Sequence, residues 1–335
     1  MRVLIPHDLA PDTRPPPASR IALLEGSSMG TSWSVKLPLP GPVDLAALRR
    51  AIVAELDQVI AEMSSWEPDS DLSRYNRAPA GSWHALPEGF RTVLDCALAI
   101  ARASGGAFDP SIGPVVNLWG FGPGGTPADE PPPDRIAATL DRCGWQRIGI
   151  EPETGRVQQP GGLYLDFSGI AKGFAVDRVA ARLRAAGYVS FLVEVGGELC
   201  GAGMKPDGTP WWVQLEQPTD RPTGDGGDTL VALHGLCVAT SGDSRRHVLS
   251  RSGRRLSHSI DPRSGRPVPD RVAAVSVLHP SCMQADAWAT ALTVLGPEAG
   301  LALAAEQDLA ALFVLRGPAG FSELPTPALN ALLDL

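Results

Sequence analysis

Strand-length and helix-length apolar segments follow one another along this chain without a strict strand–helix–strand rhythm. That irregularity constrains its fold more than any other feature. Ile21 to Leu37 alternates as two strands around a turn at Gly26-Ser27-Ser28-Met29-Gly30. Asp44 then caps a helix whose apolar positions, Leu45, Leu48, Ile52, Leu56, Val59, Ile60 and Met63, recur on one face. Ser64 to Asn76 is polar and turn-rich, a second helix is expected from about Glu88 to Ala103 before Gly105-Gly106, and a short one from Asp134 to about Cys143. Leu163 to Phe167 reads as a strand, Ala171 to Ala186 as a helix stopped by Gly187, and Val189 to Val195 as a strand. Further strands are expected at Trp211–Leu215, Thr229–Leu233 and Val272–Leu278. The last helices are Met283–Leu295, a break at Gly296-Pro297, Glu298–Ala305, and a short piece after Pro327. Such a mixture is α+β or mixed α/β rather than a regular parallel sheet. It is read as one large domain over 21–335 behind a flexible, proline-rich tail at 1–20.

Charge narrows the function. A formal net charge of −8, with no run of Lys or Arg, argues against nucleic acid as a partner. Five scattered cysteines contain no Cys-x-x-Cys pair, so neither a zinc site nor a disulfide framework is indicated. No apolar run of signal-peptide or membrane-span length is found, and no lipobox cysteine follows the tail. The expected location is the cytoplasm, with no membrane span.

Four stretches carry chemistry. In Ala285-Asp286-Ala287-Trp288-Ala289-Thr290-Ala291, helical spacing puts Asp286 and Thr290 on one face. A carboxylate beside a neutral oxygen suits Mg²⁺, which fills its remaining positions with water and substrate phosphate. The ordinary alternative is a solvated Asp and a Thr bonded to the preceding turn. Leu165 to Asp177 reads as a strand, a small-residue turn and a helix start. Gly169 there permits close approach, and its carbonyl is a candidate cation ligand. Lys172 opposes the helix dipole in the first turn, which suggests an anion in front of it; the alternative is Asp166 as a cap and Lys172 in solvent. His258 precedes the turn Asp261-Pro262-Arg263-Ser264-Gly265 and is either a general base or a structural hydrogen-bonding residue. Gly105 to Gly122 offers backbone amides, Asp109 and aromatic faces, and Trp66 is a further candidate for stacking or for the core.

Met29-Gly30-Thr31, Met63 to Asn76, Gly106 to Gly122, Asp166 to Asp177, Glu194-Val195-Gly196-Gly197-Glu198, Ala239 to Gly242, Ser257 to Pro267 and Ala285 to Leu292 occur in this order. Together they resemble the FAD:protein FMN transferase family, the ApbE proteins, over about Glu25 to Leu303. The most distinctive stretches are Asp166-Phe167-Ser168-Gly169-Ile170-Ala171-Lys172-Gly173 and Ser257-His258-Ser259-Ile260-Asp261-Pro262. The resemblance implies a T-fold-like mixed α/β architecture and Mg²⁺-dependent transfer of FMN from FAD to a Thr or Ser hydroxyl of an acceptor protein, releasing AMP. It assigns Asp286, Thr290 and the Gly169 carbonyl to Mg²⁺. Met29, Trp66, Ala107, Phe108, Asp109, Asp166, Lys172 and Ile260 would line the FAD site, and His258 would activate the acceptor hydroxyl. The competing readings are an FAD pyrophosphatase, with water as acceptor, and a non-catalytic flavin-binding protein.

Overall fold

The computed structural model describes residues 2–5, 16, 18–125, 130–222, 229–242, 247–249 and 255–332. Its spine is an antiparallel sheet of eight strands. In sequence these are β2 (Arg20–Ser28), β3 (Thr31–Leu39), β6 (Phe191–Val195), β7 (Glu198–Ala202), β10 (Leu236–Gly242), β15 (Val272–His279), β16 (Ala310–Gly317) and β17 (Gly320–Pro325), in spatial order β17-β16-β15-β10-β7-β6-β3-β2. The smaller strands are β1 (Arg2–Leu4), β4 (Trp83–His84), β5 (Val157–Gln158), β8 (Trp211–Gln214), β9 (Thr229–Leu233), β11 (His247–Leu249), β12 (Arg255–Ser257), β13 (Ile260–Asp261) and β14 (Arg266–Pro267). The helices are α1 (Leu45–Met63), α2 (Asp71–Asn76), α3 (Glu88–Ala103), α4 (Gly113–Leu118), α5 (Pro133–Leu140), α6 (Ala171–Ala185), α7 (Cys282–Glu306) and α8 (Pro327–Ala331).

Local chemistry accounts for the matches with the sequence. Met29 and Gly30 form the two-residue hairpin between β2 and β3, both with positive φ (53° and 71°), the geometry that suits the right-handed twist of paired strands. Asp44 caps α1 by accepting from the Ala47 N–H at 2.9 Å. In α7 the backbone leaves the helix at Gly296 (φ 75°, ψ 179°), before Pro297, where the sequence places the break.

The main core lies between one face of the large sheet and helices α1, α3, α6 and α7, around Val35, Ile52, Phe90, Val176, Phe191, Val275 and Leu292. A second cluster on Leu4, Leu215, Val231, Leu233, Val238, Leu278, Leu312 and Leu329 joins β1, β8, β9 and α8 to the other face. Helix α7 is long and apolar enough to cross a membrane, but Ala285, Ala287, Ala289, Ala291 and Leu292 along it are buried inside the protein. Three thiols, Cys200, Cys237 and Cys282, are buried, and all five cysteines are free.

Three expectations change. Leu163–Phe167 is extended but joins no ladder. Asn76 Oδ1 accepts from Leu165 N–H (2.7 Å) while its amide donates to the Leu165 carbonyl (2.9 Å), and the Gln159 side chain bonds both the N–H and the carbonyl of Leu163. Side chains therefore satisfy the backbone groups that a neighbouring strand would take. The expected flexible tail also starts as structure. Arg2–Leu4 pairs in parallel with Thr229–Val231, Ile5 N–H donates to the Leu332 carbonyl, and Leu4 is buried in the apolar cluster with Val231, Leu233 and Leu329. Residues 1, 6–15 and 17 of that tail lie outside the described residues. Finally, β7, β10, β16 and β17 are not evident from periodicity. β7, β10 and β16 lie inside the large sheet, and Ala311 to Leu315 is buried at every position, which erases the alternation.

Candidate active site

Two helices of the core, packed antiparallel, build the centre of the site by capping each other. Asp286, on α7, accepts from the Gly173 N–H of the first turn of α6 through Oδ2 at 3.0 Å. Asp177, on α6, answers at the start of α7. Its Oδ1 accepts from Cys282 N–H (2.9 Å), and its Oδ2 from Met283 N–H (3.0 Å) and the Ser281 hydroxyl (2.8 Å). Each carboxylate satisfies orphan N–H groups and sits at the positive end of the other helix's dipole. Glycine allows the approach: a Cβ on Gly173 would stand 2.3 Å from the Cys282 carbonyl oxygen, and one on Gly169 would stand 2.9 Å from Thr290 Oγ1. Thr290, Gly169, Asp286 and Gly173 are thereby held in fixed register. Replacing Asp177 with Ala removes three bonds to a charged group and should lower stability by about 2–4 kcal/mol, measured by urea unfolding.

Lys172 does not point to open solvent. Its ammonium lies 2.5 Å from Glu198 Oε1 and 3.7 Å from Asp286 Oδ1, and the Glu198 side chain is only 4% exposed. Burial pulls the Lys172 ammonium down, yet the two carboxylates outweigh it and hold the group above its ordinary range. Burial pushes the Glu198 carboxyl up to about 7, against the pull of Lys172 and with the help of Asp286. The other oxygen of Glu198, Oε2, is buried and accepts no hydrogen bond among the described residues. Glu198 lies in one of the stretches that carry the resemblance, which assigns it no role; β7 brings it against a lysine 26 positions earlier.

Beside this centre opens a cleft of about 110 Å³. Gly169 and Thr290 line it, together with Ala107, Phe108 and Asp109 from the loop after α3, Asp166 from the extended segment, and His258 and Ile260 from the β12–β13 connection. Asp109 is largely used in shaping its loop. Its Oδ1 accepts from the Ser111 N–H and hydroxyl (2.8 and 2.6 Å) and its Oδ2 from Trp145 N–H (3.1 Å), while burial holds the carboxyl above its ordinary value. Asp166 does not cap α6. Its Oδ1 accepts from Ser168 N–H (2.7 Å) and closes the turn that presents Gly169, leaving Oδ2 without a hydrogen bond among the described residues. His258 follows Ser257, whose hydroxyl accepts from Ser259 N–H, and precedes the hairpin of β13 and β14, which is tied to α4 by the Trp119 indole N–H donating to the Gly265 carbonyl at 2.7 Å. Its ring meets Phe121 edge-on, with centroids 6.4 Å apart.

Eight of the sequence-derived candidates line the cleft, and Asp286, Lys172, Met29 and Trp66 do not. Asp286 and Lys172 sit next to the cleft on the helix pair rather than lining it. Met29 lies on the β2–β3 turn; Thr31 of that hairpin and Lys172 both lie against Gly196, where an added Cβ would stand 2.9 Å from Thr31 Cγ2 and 3.3 Å from Lys172 Cδ. Trp66 is 56% exposed and does not line the cleft. The cleft is smaller than the roughly 300–1,000 Å³ of common ligand pockets.

The donor chemistry fits a hard cation. Asp286 is buried and its Oδ1, 3.7 Å from the Lys172 ammonium, takes no hydrogen bond among the described residues, while Thr290, one helical turn further along α7, places its Oγ1 against Gly169. No group of three or more His, Cys, Asp or Glu is arranged for a metal among the described residues, so a cation here would rest on this mixed oxygen set.

Residues 29–313 match the profile of the ApbE family. The FAD:protein FMN transferase of Klebsiella pneumoniae is 35% identical over 320 residues, which cover 95% of this chain and 91% of that protein. The FAD:protein FMN transferase of Vibrio cholerae is 36% identical over 321 residues, covering 95% and 94%. Among solved structures, the flavinyl transferase ApbE of Pseudomonas stutzeri in its apo form superposes with a TM-score of 0.86 at 39% identity, over 95% of this chain and 98% of that one. The flavin transferase ApbE from Vibrio cholerae gives 0.85 at 35% identity, over 93% and 99%.

Proposed function

The chain belongs to the ApbE family, and from that premise we propose that it is an FAD:protein FMN transferase that moves FMN from FAD to a Thr or Ser hydroxyl of an acceptor protein and releases AMP. The observation that carries the mechanism is that His258 lines the same cleft as Gly169 and Thr290, next to the capped carboxylate of Asp286. A general base thus stands beside an oxygen-donor set within one small, partly enclosed space.

In the reaction the acceptor oxygen bonds to the phosphorus of the FMN half, the bond from that phosphorus to the bridging oxygen breaks, and AMP leaves with the bridging oxygen. His258 takes the hydroxyl proton. Asp286, Thr290 and the main chain at Gly169 would hold Mg²⁺, which when bound neutralises pyrophosphate charge. Lys172 stays paired with Glu198 on the same side, and the Asp109 and Asp166 turns hold Phe108 and Gly169 at the cleft wall. The acceptor hydroxyl has to enter this space while attached to its protein, so it belongs on an exposed, flexible segment.

The test is to incubate the protein with FAD, Mg²⁺ and a carrier protein bearing an exposed Thr-containing segment. The expected result is gain of one covalently bound FMN by intact mass, in-gel flavin fluorescence, and one AMP per FMN transferred. Release of free FMN and AMP with no mass gain on any of several acceptor segments would favour the pyrophosphatase instead.

A further inference from the structure

The Lys172 ammonium is shared unequally between two buried carboxylates, at 2.5 Å from Glu198 and 3.7 Å from Asp286. We propose that Glu198 is a positioning residue for the divalent cation: by holding Lys172, it keeps that ammonium off Asp286 and leaves Asp286 Oδ1 to the metal. This rests on the reading of Asp286 and Thr290 as cation ligands.

The argument begins with charge. Two buried carboxylates compete for one ammonium, which lies 2.5 Å from Glu198 and 3.7 Å from Asp286. Asp286 is committed through Oδ2 to the α6 terminus, which leaves Oδ1 as its acceptor for a cation. Without Glu198, the nearest carboxylate to Lys172 is Asp286, and a bound ammonium there would compete directly with an incoming divalent ion. Glu198 also contributes its own charge to the field at the site.

Geometry supports a built arrangement. Glu198 is 4% exposed, and its Oε2 is buried without a partner, a costly state unless another group depends on it. Gly196 lies against Thr31, Lys172 and Glu198 at once, with φ 64°, so the paired-glycine turn before β7 and the hairpin of β2 and β3 fix both ends of the ion pair.

The test reads metal binding rather than turnover. Mg²⁺ is titrated into the full chain with FAD present and no acceptor, and the rise in unfolding midpoint gives an apparent affinity. Glu198→Gln is expected to weaken that affinity tenfold or more, and Glu198→Asp, which keeps the charge but shortens the reach, at least threefold; Asp286→Asn is expected to abolish the response. Glu198→Asp carries the test if the Gln variant does not fold. A lower midpoint with an unchanged Mg²⁺ affinity in both Glu198 variants would overturn the proposal and leave the pair structural. If the unmutated protein gave no Mg²⁺ response, the cation reading of Asp286 would fall with it, whereas a response lost in Asp286→Asn and intact in the Glu198 variants would overturn this inference alone.

Discussion

Asp286→Ala is expected to lose at least about 100-fold in FMN transfer, and chelation of divalent ions should reduce the unmutated protein to a similar level. The side chain has two duties, and a pair of variants separates them. Through Oδ2 it caps α6 at Gly173, and through Oδ1 it faces the Lys172 ammonium at 3.7 Å. Alanine ends both, so part of its effect would be loss of a buried hydrogen bond, costing about 1–3 kcal/mol of stability. Asparagine keeps an oxygen for the Gly173 N–H but no charge. Asp286→Asn should therefore unfold close to the unmutated protein in urea while remaining about as inactive as Asp286→Ala. Restoration of transfer in Asp286→Asn by the fold alone, at ordinary Mg²⁺ concentration, would mean that the carboxylate serves the helix pair and not a cation.

The reasons why this site is only partly legible in the sequence are physical. Asp286 and Thr290 stand out because an α-helix repeats every 3.6 residues, so a spacing of four declares a shared face before any fold is known. Gly169 and the turn before α6 are legible for a similar reason, since small residues between an apolar run and a helix announce a close approach. What periodicity cannot carry is a partner drawn from elsewhere in the chain. Asp177 lies on the same helix as Lys172, yet its role depends on α7 arriving antiparallel, 104 to 106 residues later. Glu198 looks like one more polar residue in a glycine-rich turn until β7 places it against Lys172. Leu163–Phe167 fails in the other direction: it has a strand's composition, but Asn76, 89 residues away, occupies the hydrogen-bonding positions of Leu165. β16 hides for a further reason: Ala311 to Leu315 is buried at every position, which removes the alternation by which a half-exposed strand is read, whereas the equally buried β15 is read from its valine-rich run.

His258→Ala is expected to slow transfer by about 10²–10⁴-fold while FAD still binds. The side chain lines the cleft, and its backbone is held from both sides by the Ser257 hydroxyl and by the hairpin tied to Trp119. Those restraints belong to the chain around it, so removing the imidazole should leave the cleft wall in place. The decisive measurement pairs FAD affinity, from flavin fluorescence, with the single-turnover rate on a fixed acceptor. A base that takes the acceptor proton acts only as the bond to phosphorus forms, so its loss should appear in the rate and not in FAD affinity. The edge-on contact with the Phe121 ring offers the alternative outcome. Were the imidazole chiefly a packing partner of Phe121, His258→Ala would lower the unfolding midpoint and weaken FAD binding together, and His258→Gln, which keeps a polar group of similar reach, would recover both. Slow transfer in both variants, with unfolding and FAD affinity preserved, would assign the proton to His258.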